Sequence, residues 1–214
     1  MTAEILPFNP LDKKNLGASV AIALLTSKTQ QLGDLQKFKG AGIYALYYTG
    51  SFHAYEELST RNADAKYAAP IYIGKAVPSG ARKGIGSISG ASSQALYNRL
   101  SEHAESITVV NNLRVDDFAC RYLVVDDIWI PLGESLLIAH FSPLWNALID
   151  GFGNHDPGKG RYEGMRPRWD VLHPGRRWAE KCRERPETAD EIAMEVENYL
   201  RNAQYPSIDW FNIG

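Results

Sequence analysis

The chain has 214 residues, 44% hydrophobic and 11% aromatic, which suits one compact domain with a core of its own. Its 23 Lys and Arg against 25 Asp and Glu exclude a uniformly basic coat protein and a highly charged disordered chain. Residues 1–14 lack a basic stretch followed by an apolar one, and the apolar run at 18–25 is far below the roughly 18 residues of a membrane span, so a soluble cytoplasmic protein with no signal peptide is expected.

In chain order, residues 15–31 read as an opening helix, and 42–48 and 70–75 as strands rich in aromatic and β-branched residues. Residues 52–67 between them are polar and helix-like, an insertion between paired strands. Residues 77–93 hold four Gly and five Ser beside Arg82 and Lys83 and read as a flexible basic loop. Residues 94–107 predict an amphipathic helix with Leu96, Leu100, Ala104 and Ile107 on one face. A third strand at 118–125, a short helix at 133–141 and a terminal helix at 188–202 complete the reading. Strands joined by helical excursions in a small sheet give an α+β or mixed α/β chain. It divides into an N-terminal helical arm (1–39), a core (40–150) and a C-terminal extension (151–214).

Charge is unevenly spread. Residues 159–185 hold nine basic and four acidic residues, a formal +5, whereas 186–214 carry six acids and only Arg201, a formal −5. A basic stretch is either a solvated surface or a phosphate-binding face. Cys120 and Cys182 lie 62 positions apart with no CxxC pair, so two reduced thiols are expected rather than a zinc site or a disulfide.

Three groups of residues could carry chemistry. Glu134 lines up with Leu137, Ile138 and Phe141, the face that should bury, where an ionised carboxylate is costly unless paired, hydrogen-bonded or bound to a metal. A first-turn position would alternatively make it a partner of the helix N-terminus. Arg99 and His103 are four apart on one helix, at the edge of its apolar stripe, where a cation beside a titratable imidazole can stabilise phosphate charge and move a proton. The plain alternative pairs Arg99 with Glu102 and leaves His103 as a helix residue. Tyr44 and Tyr72 sit on the two strands, where tyrosines ordinarily pack.

The order of these elements carries the identification. Gly42-Ile43-Tyr44 is followed after 27 residues by Tyr72-Ile73-Gly74-Lys75, then Arg99, Glu134 and Asn146. The chain resembles the GIY-YIG nuclease family. The resemblance is closer still to the type II restriction endonucleases of that family whose target is CCGCGG, through the segments 40–50, 71–80, Pro143-Leu144-Trp145-Asn146, Asp150-Gly151-Phe152-Gly153-Asn154-His155 and 169–182. It implies an α+β fold with a small three-stranded antiparallel sheet flanked by helices. The resemblance implies metal-dependent hydrolysis of double-stranded DNA by a homodimer, with a cognate methyltransferase as functional counterpart. One divalent ion, magnesium, would be held by Glu134. Arg99 would hold the scissile phosphate, Tyr44 would activate the attacking water with Lys75 or His103 as cationic neighbour, Tyr72 would position water or phosphate, and Asn146 would brace the site. Arg82, Lys83, Lys159, Arg161, Arg166 and Arg168 would meet DNA. Competing readings are a structure-specific repair nuclease of the same family, an inert DNA-binding protein on the same scaffold, and a ββα-metal site at His155, which would need His140 or His173 as a second ligand.

Overall fold

The computed structural model describes residues 9, 11–78 and 93–205. Helix α1 (Lys13–Leu25) leads to strand β1 (Gln30–Gln31), then β2 (Gly42–Tyr48), α2 (Glu56–Asn62), β3 (Pro70–Ala76), α3 (Ala95–Thr108) and β4 (Phe118–Val124). Helices α4 (Ile130–Phe141), α5 (Leu144–Ala147), α6 (Arg168–Leu172) and α7 (Ala189–Asn202) follow. One antiparallel sheet runs in the order β1-β4-β2-β3.

Strand β2 lies between β3 and β4, so all seven of its residues are buried and its period of two divides them between two layers. Ile43, Ala45 and Tyr47 pack with Ala18, Ala21 and Leu24 of α1 and with Ile130 and Leu137 of α4. Tyr44, Leu46 and Tyr48 face the opposite layer, built from Leu96, Leu100 and Ile107 of α3, Trp145 of α5, Trp169 of α6 and Ile192, Val196 and Leu200 of α7. Each fully buried aliphatic side chain here contributes roughly 1.5–3 kcal/mol.

The sheet has four strands rather than three. The opening helix stops at Leu25, where the hydroxyls of Thr26 and Ser27 bond back to the carbonyls of Ile22 (2.8 Å) and Leu24 (2.7 Å). The next residues, Gln30 and Gln31, pair with Cys120 and Ala119, covering part of the otherwise open edge of β4. Helix α4 begins at Ile130 instead of Gly133, because Pro131 suits the first turn and Ile130 is buried. Glu134 therefore lies in the second turn, beyond the N-terminal amides that a capping role would use.

The insertion between β2 and β3 is held by Asn62. Its Nδ2 donates to the carbonyls of Tyr48 (3.0 Å) and Ala69 (2.9 Å), and its Oδ1 accepts from Ala69 N (2.9 Å). Helix α7 starts at Thr188 with a reciprocal capping box to Glu191 and packs on α2 and the 3-10 turn His53–Tyr55. The opposed charge blocks meet within the chain: Arg168 pairs with Glu195, and Arg185 with Glu187 at 3.1 Å. Cys120 and Cys182 are buried and unpaired. Among the described residues no helix is long and apolar enough to cross a membrane.

Candidate active site

Tyr44 projects from β2 toward α3, and its register partner on β3 is Gly74. The phenol lies directly over that glycine: a Cβ there would stand 2.4 Å from the Tyr44 hydroxyl oxygen and 2.6 Å from Cζ. The Y-I-G motif thus leaves the space into which the tyrosine of G-I-Y is laid. The Tyr44 hydroxyl is 2.6 Å from Nε2 of His103. His103 is 1% exposed, inside the apolar stripe of α3 and not at its edge, and Phe152 stacks on it at 4.5 Å and 14°. The ring of Tyr72 lies 6.2 Å from that of Tyr44 and 5.4 Å from that of His103.

Burial sets the protonation of this pair. It pushes the Tyr44 phenol well above its ordinary value, Tyr72 adds to the effect, and Arg99 opposes it. Burial, reinforced by Arg99, holds the His103 imidazole well below the usual histidine range. The pair is a protonated phenol against a neutral imidazole. Tyr72 is also raised, by burial, with Arg99 again opposing.

Arg99, one turn before His103, carries the cation to the mouth of the pair. Its Nη1 donates to Glu102 Oε2 (3.1 Å) and to His155 Nε2 (2.8 Å), and its Nη2 donates to the carbonyl of Gly153 (2.9 Å). The segment 150–155 is thus drawn to the Arg99 guanidinium. His173, one of the two candidate second ligands, is engaged elsewhere: its Nε2 lies 2.6 Å from the Tyr55 hydroxyl and its Nδ1 2.9 Å from Asn112 Oδ1. The Tyr55–His173 pair is walled in by Phe52, Trp145 and Trp169, and burial lowers His173 to about 3.

Glu134 reaches the site from the opposite layer. Helix α4 packs under the Ile43 face of the sheet, while Lys75, register partner of Ile43, stands on the edge strand β3, and its Nζ is 2.5 Å from Glu134 Oε2. The carboxylate's charge is felt at Tyr44 and Tyr72, raising both. Asn146 of α5 completes the edge: its Oδ1 accepts from Ile73 N and its Nδ2 donates to Ile73 O, both at 2.8 Å. That exchange satisfies an unpaired stretch of edge strand with one side chain and fixes β3 between Tyr72 and Gly74.

Among the described residues no three His, Cys, Asp or Glu gather as a metal cage. One carboxylate that already attracts an ammonium group fits magnesium, which keeps several waters and takes one or two carboxylates plus substrate phosphates. It does not fit a structural zinc site.

Tyr44, Tyr72, Arg99 and His103 thus meet on one face of the sheet, with Lys75, Glu134 and Asn146 around edge strand β3. Of the basic candidates, Arg82 and Lys83 lie outside the described residues. Lys159 begins a 3-10 turn (Lys159–Arg161) in which Arg161 is exposed. Arg166 is turned inward, donating to the carbonyls of Ala179 (3.0 Å) and Glu180 (3.2 Å). Arg168 bonds the carbonyl of Leu148 (3.3 Å) as well as Glu195. Arg176, counted with the basic block, is buried at 5% exposure. The sequence reading missed Gly153 as the Arg99 acceptor and Arg176 as an internal residue. Trp169 and Trp178, close to Arg176 in sequence, were the available signal for the latter, and its guanidinium lies over both rings, at 4.4 and 4.8 Å.

A family model described as the Eco29kI GIY-YIG domain matches residues 36–200, well over half of the chain. No curated protein matches the chain.

Proposed function

The chain belongs to the Eco29kI GIY-YIG restriction endonuclease family, and from that membership we propose that it cleaves double-stranded DNA at the palindrome CCGCGG. The observation that carries the chemistry is the Tyr44 hydroxyl, 2.6 Å from a buried neutral His103 and flanked by Arg99. A protonated phenol is no base by itself, because free phenols ionise only near pH ~10. Donating its own proton to Nε2 of His103 as it accepts one from the attacking water, Tyr44 avoids becoming a free phenolate. His103 is neutral, not the cation expected from the sequence, so its Nε2 lone pair is open to that proton; the same burial makes it a weak base, so the transfer accompanies attack of the water rather than preceding it.

Arg99 holds the scissile phosphate and offsets the charge that builds on its oxygens. Its guanidinium is half-buried and already oriented by three acceptors, so little ordering remains to be done when substrate binds. Tyr72, whose ring lies beside both Tyr44 and His103, positions water or phosphate. Asn146 keeps β3, and with it Tyr72 and Gly74, in register with the site. Glu134 would hold a magnesium ion, which would supply Lewis-acid stabilisation of the phosphate oxygens. Lys75 keeps the carboxylate charge compensated before that. Exposed Arg161 and the basic Gly/Ser segment supply phosphate contacts, and two copies of the chain match the two-fold axis of a palindrome.

The test is direct. Supercoiled plasmid carrying one CCGCGG sequence is incubated with the protein and magnesium, and the ends are mapped. Cleavage confined to that sequence supports the reading; intact plasmid at every divalent cation tried, or cleavage scattered over unrelated sequences, refutes it.

A further inference from the structure

The loop that contacts Arg99 has no regular structure of its own, yet three of its carbonyls are held by one buried residue. Arg176 donates from Nη2 to the carbonyl of Gly151 (2.9 Å) and from Nη1 to those of Phe152 (3.1 Å) and Asn154 (3.1 Å). Its Nε and Nη2 also bond the two carboxylate oxygens of Asp170, each at 2.6 Å. The guanidinium is closed in by the rings of Trp169 and Trp178. Only arginine offers five donors in a fixed plane, so a lysine cannot span the carboxylate and the three carbonyls together.

What the gripped loop presents to the site is specific. Phe152, packed at 4.2 Å on Trp145, stacks on His103; Gly153 O and His155 Nε2 take the two terminal nitrogens of Arg99. A Cβ on Gly153 would lie 2.7 Å from Arg99 Nη2 and 3.2 Å from the Tyr72 hydroxyl, so backbone and guanidinium meet without slack. A buried ion pair is weak evidence for stability, since apolar residues of similar volume often hold a core as well. Its value lies in fixing one geometry.

We propose that Arg176, fixed by Asp170, is a positioning residue for cleavage: it clamps the 151–155 loop so that Gly153 and His155 orient Arg99 and Phe152 caps His103. This rests on the nuclease reading, in which Arg99 holds the scissile phosphate.

Two variants test it. Arg176→Lys keeps the charge opposite Asp170 but loses the fork, and the double variant Arg176→Gln/Asp170→Asn removes both charges together, so no buried charge is left unpaired. Single-turnover cleavage of a CCGCGG duplex is measured below the thermal midpoint of each variant, alongside duplex affinity by fluorescence anisotropy with calcium in place of magnesium. The Arg99 guanidinium signal is followed in the free protein labelled with 15N-arginine and assigned with Arg99→Lys.

The expected result is cleavage slowed at least about tenfold, the scale of a sub-ångström misplacement, with affinity within about threefold of the parent and the Arg99 Nε–H signal lost to exchange. A merely structural residue would lower the midpoint and leave the folded protein's rate and the Arg99 signal as they were, and that outcome overturns the proposal. Arg99 loosened with no loss of rate overturns it equally. If the parent itself cuts no DNA, the nuclease reading fails, whereas an unchanged Arg99 signal in both variants removes the clamp on its own.

Discussion

Gly74→Ala puts the Tyr44 geometry to a quantitative test without touching a polar group. The added Cβ would stand 2.4 Å from the Tyr44 hydroxyl oxygen, 2.6 Å from Cζ and 3.0 Å from Tyr72 Cε1. Ordinary contact begins near 3.4 Å, so the phenol must lift by roughly 1 Å, and β2 and β3 cannot separate to absorb it because β2 is paired on both sides. A shift of that size cannot preserve the 2.6 Å link to His103. Misplacement by about 1 Å costs on the order of a hundredfold in rate, close to 2.7 kcal/mol of barrier. The assay is single-turnover cleavage of a CCGCGG duplex, with the thermal midpoint measured in parallel so that the rate refers to folded protein. A variant that folds and cuts within threefold of the parent would refute the reasoning and return Tyr44 to a packing role.

Glu134→Ala is expected to abolish cleavage at ordinary magnesium concentrations while leaving specific DNA binding largely intact, measured by nicking and gel-shift assays; comparable cutting removes Glu134 from the ligand role. Arg99→Ala and Tyr44→Phe should each slow cleavage by at least about a hundredfold in quenched-flow traces, the scale for losing a charge-stabilising or proton-transfer group. Because burial lowers both His103 and His173, the latter to about 3, the unfolded chain binds protons that the native chain refuses. The stability these histidines hold is full above about pH 6.5 and falls, by about 1.4 kcal/mol per pH unit for each, as pH drops toward their folded values. Thermal midpoints recorded between pH 7 and pH 4 should decline, with a shallower slope in His173→Asn; slopes that match would take His173 out of the account. On a short CCGCGG duplex, light scattering should find two copies of the chain, and a one-protein complex that cuts both strands together would exclude the dimer.

Much of this site was legible in the chain because it depends on local periodicity. Alternation along 42–48 puts Tyr44, Leu46 and Tyr48 on one face whatever the rest of the molecule does, and a helix with Leu96, Leu100 and Ile107 on one side carries Arg99 and His103 together toward that face. Other features have no local signal. Strand β1 is two glutamines with no apolar pattern, and it exists because β4 leaves backbone groups to be paired. Lys75 and Glu134 belong to different layers and meet around an edge strand, so their 2.5 Å pairing depends on how α4 lies under the sheet. Arg176 reads in sequence as one cation of a basic run, and only folding closes two tryptophans, Asp170 and three carbonyls around it. The physical reason is range: the period of side chains along an element is set by its own backbone, whereas burial and the partner of a charge are set by whichever distant segments the core draws together.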